Sequence, residues 1–148
     1  MKILIKKLDK NGFKGFFSLL NQMSEWENRG TLNTGVEKQL KKDYFCKNPK
    51  YEAFLAWEDN KVIGMTVFHE TYATFDANPT TYVEDLFLLE EYRHKGIGKK
   101  LFGKILETAK KRKHSRVELL AYGEDAGKFY KKLGFKLAEQ DRHYRLYL

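Results

Sequence analysis

The sequence contains one cysteine, two prolines and no apolar run of membrane-spanning length among its 148 residues. A single cysteine excludes a disulfide framework and a four-cysteine zinc site. The opening segment, MKILIKKLDK, has too short an apolar run for a secretory signal peptide. These absences predict one domain over residues 1–148, located in the cytoplasm and without a membrane partner.

Positive charge is in excess, because 28 Lys and Arg outnumber 20 Asp and Glu and give a net charge of +8. That balance favours an anionic partner, but charge alone does not choose between nucleic acid, a membrane surface and a phosphorylated cofactor. The basic run KKRK at 110–113 makes a nucleic-acid-binding module the alternative from another class. No sequence pattern of a known nucleic-acid-binding fold supports that module, so nucleic acid is not the favoured partner.

Hydrophobic periodicity predicts ten elements in the order β-α-α-β-β-β-α-β-α-β, which is an α+β fold. Thr34 and Glu37 have the spacing of a capping box at the start of the second helix. The predicted strands cover 2–8, 51–57, 62–69, 81–89, 117–121 and 144–148. The predicted helices cover 13–28, a segment after 34, a segment from 98, and 125–133.

A glycine-containing turn, RHKGIG at 93–98, joins a predicted strand to an amphipathic helix. The first N–H groups of a helix have no partner within the helix and attract anions, and glycine lets the backbone approach a phosphate closely. Arg93, Lys95 and Lys99 add positive charge around this turn. The turn lacks the ending of a Walker A loop and the three-glycine spacing of a dinucleotide fold. It therefore predicts an anion site of another kind.

The arrangement Arg-x-x-Gly-x-Gly between a strand and a helix resembles the pyrophosphate motif of the GNAT acetyltransferase superfamily. YVEDLF at 82–87 and FYKKLGF at 129–135 resemble two further motifs of that family, in the same order. Together with Trp26 and Glu27, they are most similar to the spermidine/spermine and thialysine acetyltransferases. The resemblance covers nearly the whole chain. It implies a central mixed, mostly antiparallel twisted sheet flanked by helices, and a homodimer.

The resemblance also implies acetyl-CoA as co-substrate and direct acetyl transfer to a primary amine in a ternary complex. Leu88 matches the position whose backbone N–H contacts the reacting carbonyl oxygen, and Gly123 occupies the place of an asparagine that helps to hold the coenzyme in many members. The full set of residues implied to bind the coenzyme is Leu86, Phe87, Leu88, Arg93, His94, Lys95, Gly96, Ile97, Gly98, Lys99, Gly123, Ala126 and Tyr130.

The reaction needs a proton acceptor, because deprotonating an amine of pKa near 10.4 at neutral pH costs about 4 to 5 kcal/mol. The resemblance assigns that role to Glu84, acting through ordered water. Asp85 follows on the same strand, so strict alternation predicts that only one of the two acids faces the cleft. Tyr130 is implied to donate a hydrogen bond, or a proton, to the departing sulfur. Trp26, Glu27, Glu84 and Asp85 are the implied substrate-binding residues.

The acceptor stays open at this point. Arg142 lies about where polyamine enzymes have an acid, which disfavours a polyamine. A small-molecule amine, an amino acid, a protein lysine and a protein N-terminus remain, as does a non-catalytic protein that only binds coenzyme A. Cys46 lies outside the motifs and is expected to be a buried or incidental thiol. No metal is predicted, because the four histidines, His69, His94, His114 and His143, have no ligand spacing.

Overall fold

Alternating apolar residues near the start of the chain form the first strand of a five-stranded sheet in the computed structural model, which describes residues 2–148. The strands are β1 (Ile3–Lys7), β2 (Glu52–Glu58), β3 (Lys61–Ala73), β4 (Asn78–Leu88) and β5 (Val117–Leu119). The helices are α1 (Phe13–Trp26), α2 (Thr34–Tyr44), α3 (Ile97–Lys111) and α4 (Gly123–Lys132), with a 3₁₀ turn at Glu90–Tyr92.

The strands follow one another in chain order across the sheet. Every neighbouring pair is antiparallel except β4 and β5, which are parallel and are linked by the crossover helix α3. The predicted α+β class and the mixed, mostly antiparallel sheet flanked by helices are therefore confirmed.

The two faces of the sheet are covered by different helices, as their apolar stripes predict. Phe13, Phe16 and Leu19 of α1 are buried against Leu55 and Met65 on one face. The buried stripe of α3 packs on the opposite face, where α4 also contributes apolar side chains. Helix α1 therefore lies on one face of the sheet, and α4 lies on the other face.

A β-bulge interrupts the pairing of β4 with β3. Val67 lies opposite Asp85 and Phe68 lies opposite Val83, so Glu84 is the extra residue. Paired residues share a face of the sheet, so Asp85 faces the α1 side while Val83 faces the α3 side. From Asp85 onward, the bulge therefore shifts by one residue which side chains of β4 face each side of the sheet.

The outer edge of β4 is paired over only three residues. Thr81, Tyr82 and Val83 pair with β5, and the chain after Leu119 leaves the sheet. The edge of β4 from Glu84 onward has no partner strand on that side in residues 2–148. The N–H of Leu89 donates to Ile63 on the β3 side, so backbone alternation turns the N–H of Leu88 toward the open edge.

Several details differ from the sequence predictions, and one of them is that β3 runs to Ala73 instead of residue 69. The cap of α2 is Asn33, whose side-chain oxygen accepts the N–H of Val36 at 3.0 Å, so the capping box was wrong by one residue. β4 begins at Asn78, ahead of the predicted start, and α4 begins at Gly123 instead of Asp125. β5 ends at Leu119 and is half-buried, not buried.

The predicted last strand, 144–148, is also wrong. The segment forms no strand, because no neighbouring strand in residues 2–148 pairs with it. Its apolar side chains are exposed, among them Tyr144 and Leu146.

Candidate active site

A cleft of about 630 Å³ opens beside the unpaired edge of β4. It lies between the end of α1, strands β3 and β4, the segment after β5, helix α4 and the C-terminal segment. Eight residues predicted for the site line it, namely Trp26, Glu27, Glu84, Asp85, Leu86, Phe87, Ala126 and Tyr130. The implied substrate-binding residues and the two implied catalytic residues thus share one cavity.

Glu84 and Asp85 both line this cleft, so the expectation that only one of them would face it was wrong. The bulge is the reason, because an extra residue at Glu84 brings consecutive side chains to the same side. The Oε1 atom of Glu84 lies 3.2 Å from Nε2 of His69, and 52% of the Glu84 side chain is exposed. Asp85 is half-buried and lies deeper in the cleft wall.

Burial first, and then the negative charges of Glu84 and Glu27, raise the pKa of Asp85 to about 6 against the lowering effect of Arg29. The carboxyl group therefore changes its charge about one pH unit below neutrality. A carboxylate in such a setting attracts a cation strongly, because its own fold supplies little compensation. The cleft consequently contains a site suited to an ammonium group.

Tyr130 faces the same cleft from α4 and packs edge-on against three aromatic rings, those of Phe102, Phe129 and Phe135. Burial raises the pKa of its hydroxyl to about 12, with a further contribution from the charge of Asp85. The hydroxyl makes no hydrogen bond to any residue of the described chain, 2–148. It stays protonated at neutral pH and is free to donate to a bound molecule.

Arg93 ties the glycine-containing turn to the cleft wall. Its guanidinium lies over the rings of Trp26 at 5.6 Å and Phe87 at 5.4 Å. Its Nε donates to the carbonyl oxygen of Leu88 at 3.1 Å. The side chain thus joins the end of α1 to the end of β4, while Trp26 remains 64% exposed at the rim.

The turn that follows has the backbone geometry of an anion cradle. His94 and Gly96 adopt the left-handed region, with φ of 60° and 78°. Helix α3 then begins at Ile97 with no side-chain cap and no acid in its first turn. A Cβ atom on Gly98 would lie 3.5 Å from Phe129 and 3.6 Å from Leu88, so this helix start is packed closely on α4 and β4.

These features fit a pyrophosphate, since the first N–H groups of α3 have no side-chain partner and Lys95 and Lys99 lie beside them. Seven of the residues predicted to bind the coenzyme, from Arg93 to Lys99, form this turn and the start of α3. None of these seven is among the residues that line the cleft. Leu88 lies between the turn and the cleft. Gly123 starts α4 with φ of 82°, and Ala126 on the same helix lines the cleft.

Sequence reasoning missed a basic group that lines the same cleft. Nη2 of Arg29 lies 3.4 Å from the hydroxyl of Tyr122, and Nη2 of Arg145 lies 3.5 Å from the same oxygen. His143 also lines the cleft, with Nε2 3.2 Å from Arg145. No local signal joins these residues, because they come from three distant parts of the chain. Arg142, which sequence analysis had singled out, is not among the lining residues.

No group of three His, Cys, Asp or Glu side chains within residues 2–148 is placed to hold a metal ion. None of the helices in that range is long and apolar enough to cross a membrane. Cys46 is exposed, with its sulfur 3.4 Å from the carbonyl oxygen of Asp43, so it is not the buried thiol that was one of the two expectations.

Comparison with known proteins gives consistent relatives. The model of the GNAT acetyltransferase family matches residues 20–135. An L-ornithine N5-acetyltransferase of Arabidopsis thaliana is 34% identical over 110 residues, covering 72% of this chain and 48% of that protein. A thialysine N-epsilon-acetyltransferase of Sus scrofa is 25% identical over 142 residues, covering 89% and 83%. The chain thus spans about half the length of the ornithine relative and most of the thialysine relative.

Solved structures show the same fold. An integron cassette protein from the mobile metagenome of V. cholerae superposes with a TM-score of 0.85 at 23% identity, over 99% of this chain and 93% of that one. At that identity the likeness concerns the fold alone.

Proposed function

The chain belongs to the GNAT family of acetyl-CoA-dependent N-acetyltransferases, and we propose that it acetylates the terminal primary amine of a small molecule directly, in a ternary complex. The observation that carries this proposal is the meeting of Glu84, Asp85 and Tyr130 in one cleft beside the open edge of β4. Ornithine and thialysine, the acceptors named for two relatives, are the first candidates.

The coenzyme is held, in this proposal, by the turn from Arg93 to Lys99 and by the open edge of β4. When bound, acetyl-CoA supplies the thioester whose acetyl group is transferred. The unpaired N–H groups at the start of α3 and the lysines beside them bind the pyrophosphate. Leu86, Phe87 and Leu88 line the path from that turn to the cleft, and the N–H of Leu88 donates to the reacting carbonyl oxygen.

Glu84 and Asp85 prepare the amine. Their charges hold the incoming ammonium, and Glu84 receives its proton through ordered water. Asp85, whose pKa is raised to about 6, lies deeper and is ionised at neutral pH, so it keeps a negative charge beside the amine. General base catalysis of this kind contributes roughly 100- to 10,000-fold to a rate.

Tyr130 acts on the departing sulfur as a hydrogen-bond donor. A hydroxyl with a pKa of about 12 lies some 3.5 units above a thiol, so complete proton transfer would cost about 5 kcal/mol. Donation without full transfer avoids that cost and still stabilises the developing negative charge. The unpartnered state of this hydroxyl in the described chain supports the assignment.

We also propose that residues 1–148 act as one domain within a homodimer. The support is the exposed apolar side chains of the C-terminal segment, including Tyr144, Leu146 and Leu148, together with the outer edge of β5, which pairs with no strand of residues 2–148. Light scattering of the purified chain tests this, and removal of residues 142–148 is expected to lower the mass to that of a monomer.

An acetyl-CoA consumption screen tests the catalytic proposal. The acceptors are ornithine, lysine, thialysine, putrescine, spermidine and a lysine-containing peptide, and Glu84→Gln and Tyr130→Phe are run beside the unmodified chain. We expect turnover with at least one small amine and a clear loss in both variants. If coenzyme A binds but no amine is acetylated, the chain is a non-catalytic member of the family and the proposal fails.

A further inference from the structure

We infer that Arg29 and Arg145, meeting at the hydroxyl of Tyr122, bind a carboxylate of the acceptor, so that the acceptor is an amino acid and not a polyamine. This inference rests on the proposed amine acetylation and concerns other residues that line the same cleft. It names the charged group, apart from the amine, by which the acceptor is recognised.

Two positively charged guanidinium groups converge on one neutral oxygen, the hydroxyl of Tyr122. The two guanidinium groups lie 3.4 and 3.5 Å from the Tyr122 hydroxyl, and that of Arg29 also lies over the Tyr122 ring at 5.8 Å. Two guanidinium groups beside one oxygen repel each other, and an anion bound between them relieves that repulsion. Hydrogen bonding from Arg145 lowers the pKa of Tyr122, which is a further sign of this positive field.

One of the two guanidinium charges, that of Arg29, is already neutralised. Nε of Arg29 pairs with Oε2 of Glu27 at 2.8 Å. Arg145 forms no ion pair with a carboxylate within residues 2–148, and its partners there are Tyr122, Tyr147 and His143. The guanidinium of Arg145 therefore has donors available for a carboxylate, which it can bind through two parallel hydrogen bonds.

Both signs of charge line one cleft. Glu84 and Asp85 come from β4, Arg29 follows α1, and Arg145 comes from the C-terminal segment. An ammonium group at the acids would place a carboxylate of the same molecule toward the arginines. A polyamine would bring a second ammonium group against two guanidinium groups, which is unfavourable.

A phosphate of the coenzyme is also an anion that a guanidinium group binds. The experiment must therefore distinguish binding of the acceptor carboxylate from binding of a coenzyme phosphate. The decisive comparison uses ornithine and putrescine, which have the same carbon spacing between their two amino groups and differ by one carboxylate. Lysine and cadaverine form a second such pair. Steady-state kinetics give kcat/KM for each acceptor and KM for acetyl-CoA in the unmodified chain and in Arg145→Leu.

We expect ornithine to be preferred to putrescine and the preference to fall about 10- to 100-fold in Arg145→Leu, as for loss of a hydrogen bond to a charged group. Activity on putrescine should stay equal or rise, which a misfolded variant would not show. Arg145→Lys should recover part of the preference, and Arg142→Leu, outside the cleft, should leave it unchanged.

Three results overturn the inference. Equal kcat/KM for ornithine and putrescine in the unmodified chain would refute the carboxylate site while leaving amine acetylation intact. A rise in KM for acetyl-CoA in Arg145→Leu, with the acceptor preference unchanged, would assign the arginine to a coenzyme phosphate. Absence of turnover with all four acceptors would count against the amine acetylation itself and therefore against this inference too.

Discussion

Replacing Asp85 with asparagine should make the protein more stable and less active. Burial raises the pKa of this carboxyl group from 3.8 to about 6, so the fold disfavours its charged form. A rise of about two pKa units corresponds to a cost of up to about 3 kcal/mol once the group is ionised. Asparagine has nearly the same shape and carries no charge, so the variant removes that cost.

The pH dependence has a definite sign. The folded-state pKa lies above the unfolded value, so the carboxyl group costs almost nothing below about pH 3, where both states are protonated. The cost grows as the pH rises from 3.8 to about 6 and is complete above that range. The variant should therefore exceed the unmodified chain in stability by up to about 3 kcal/mol at about pH 8, and by almost nothing near about pH 3.

Urea denaturation followed by far-ultraviolet circular dichroism at these two pH values measures the difference. Glu84→Gln is the matched control, because Glu84 is half-exposed and hydrogen-bonded to His69, and its stability change should be small. Acetyl transfer by Asp85→Asn should fall even though the fold is more stable, as expected for a strained functional group. A variant that is less stable at pH 8, or equally changed at both pH values, would refute the reasoning.

Three further changes test other parts of the structure. Tyr130→Phe should lower kcat about 100-fold with little change in KM for acetyl-CoA, measured by steady-state kinetics, because it removes only the donor to the sulfur; an unchanged kcat would exclude that role. Gly96→Ala should cost about 1 kcal/mol by thermal denaturation and weaken acetyl-CoA binding by calorimetry, because φ at this position is 78°; unchanged binding would place the pyrophosphate elsewhere. Asn33→Ala should cost about 1 kcal/mol in urea denaturation through loss of the α2 cap; Thr34→Ala is the control, and a larger loss there would restore the capping box.

The parts of the fold that sequence predicts well are those set by local periodicity. Phe13, Phe16 and Leu19 recur at helical spacing and are buried where that spacing places them. The stripe from Ile97 to Ile105 behaves in the same way on α3. Both helices also lie beside turn signals, so their positions depend on neighbours within a few residues.

The features that sequence did not predict depend on contacts between distant segments. The bulge at Glu84 arises from the pairing of β4 with β3, and no property of the adjacent acids indicates it. The strand predicted at 144–148 has the right alternation but no partner strand in residues 2–148, and backbone pairing is what makes a strand. The meeting of Arg29, Tyr122 and Arg145 likewise requires the fold to bring three separate segments together.

The residues of the candidate site also differ in whether the sequence predicts them. Glu84 and Tyr130 are identified by motifs that resemble a family, and the cleft brings both of them together. Asp85 is also identified by the resemblance, but only the structure shows that it shares the cleft with Glu84. The basic residues around Tyr122 are likewise found only in three dimensions, because no motif includes them.

We propose that this cleft transfers an acetyl group from acetyl-CoA to the terminal amine of a small acceptor. The most direct measurement is mass spectrometry of ornithine after incubation with acetyl-CoA and the purified chain, with fragmentation to locate the modified nitrogen. We predict one added acetyl group on the side-chain nitrogen, and a loss of product in Glu84→Gln. Bound coenzyme without acetylated product, for ornithine and for every other amine of the screen, would contradict the claim.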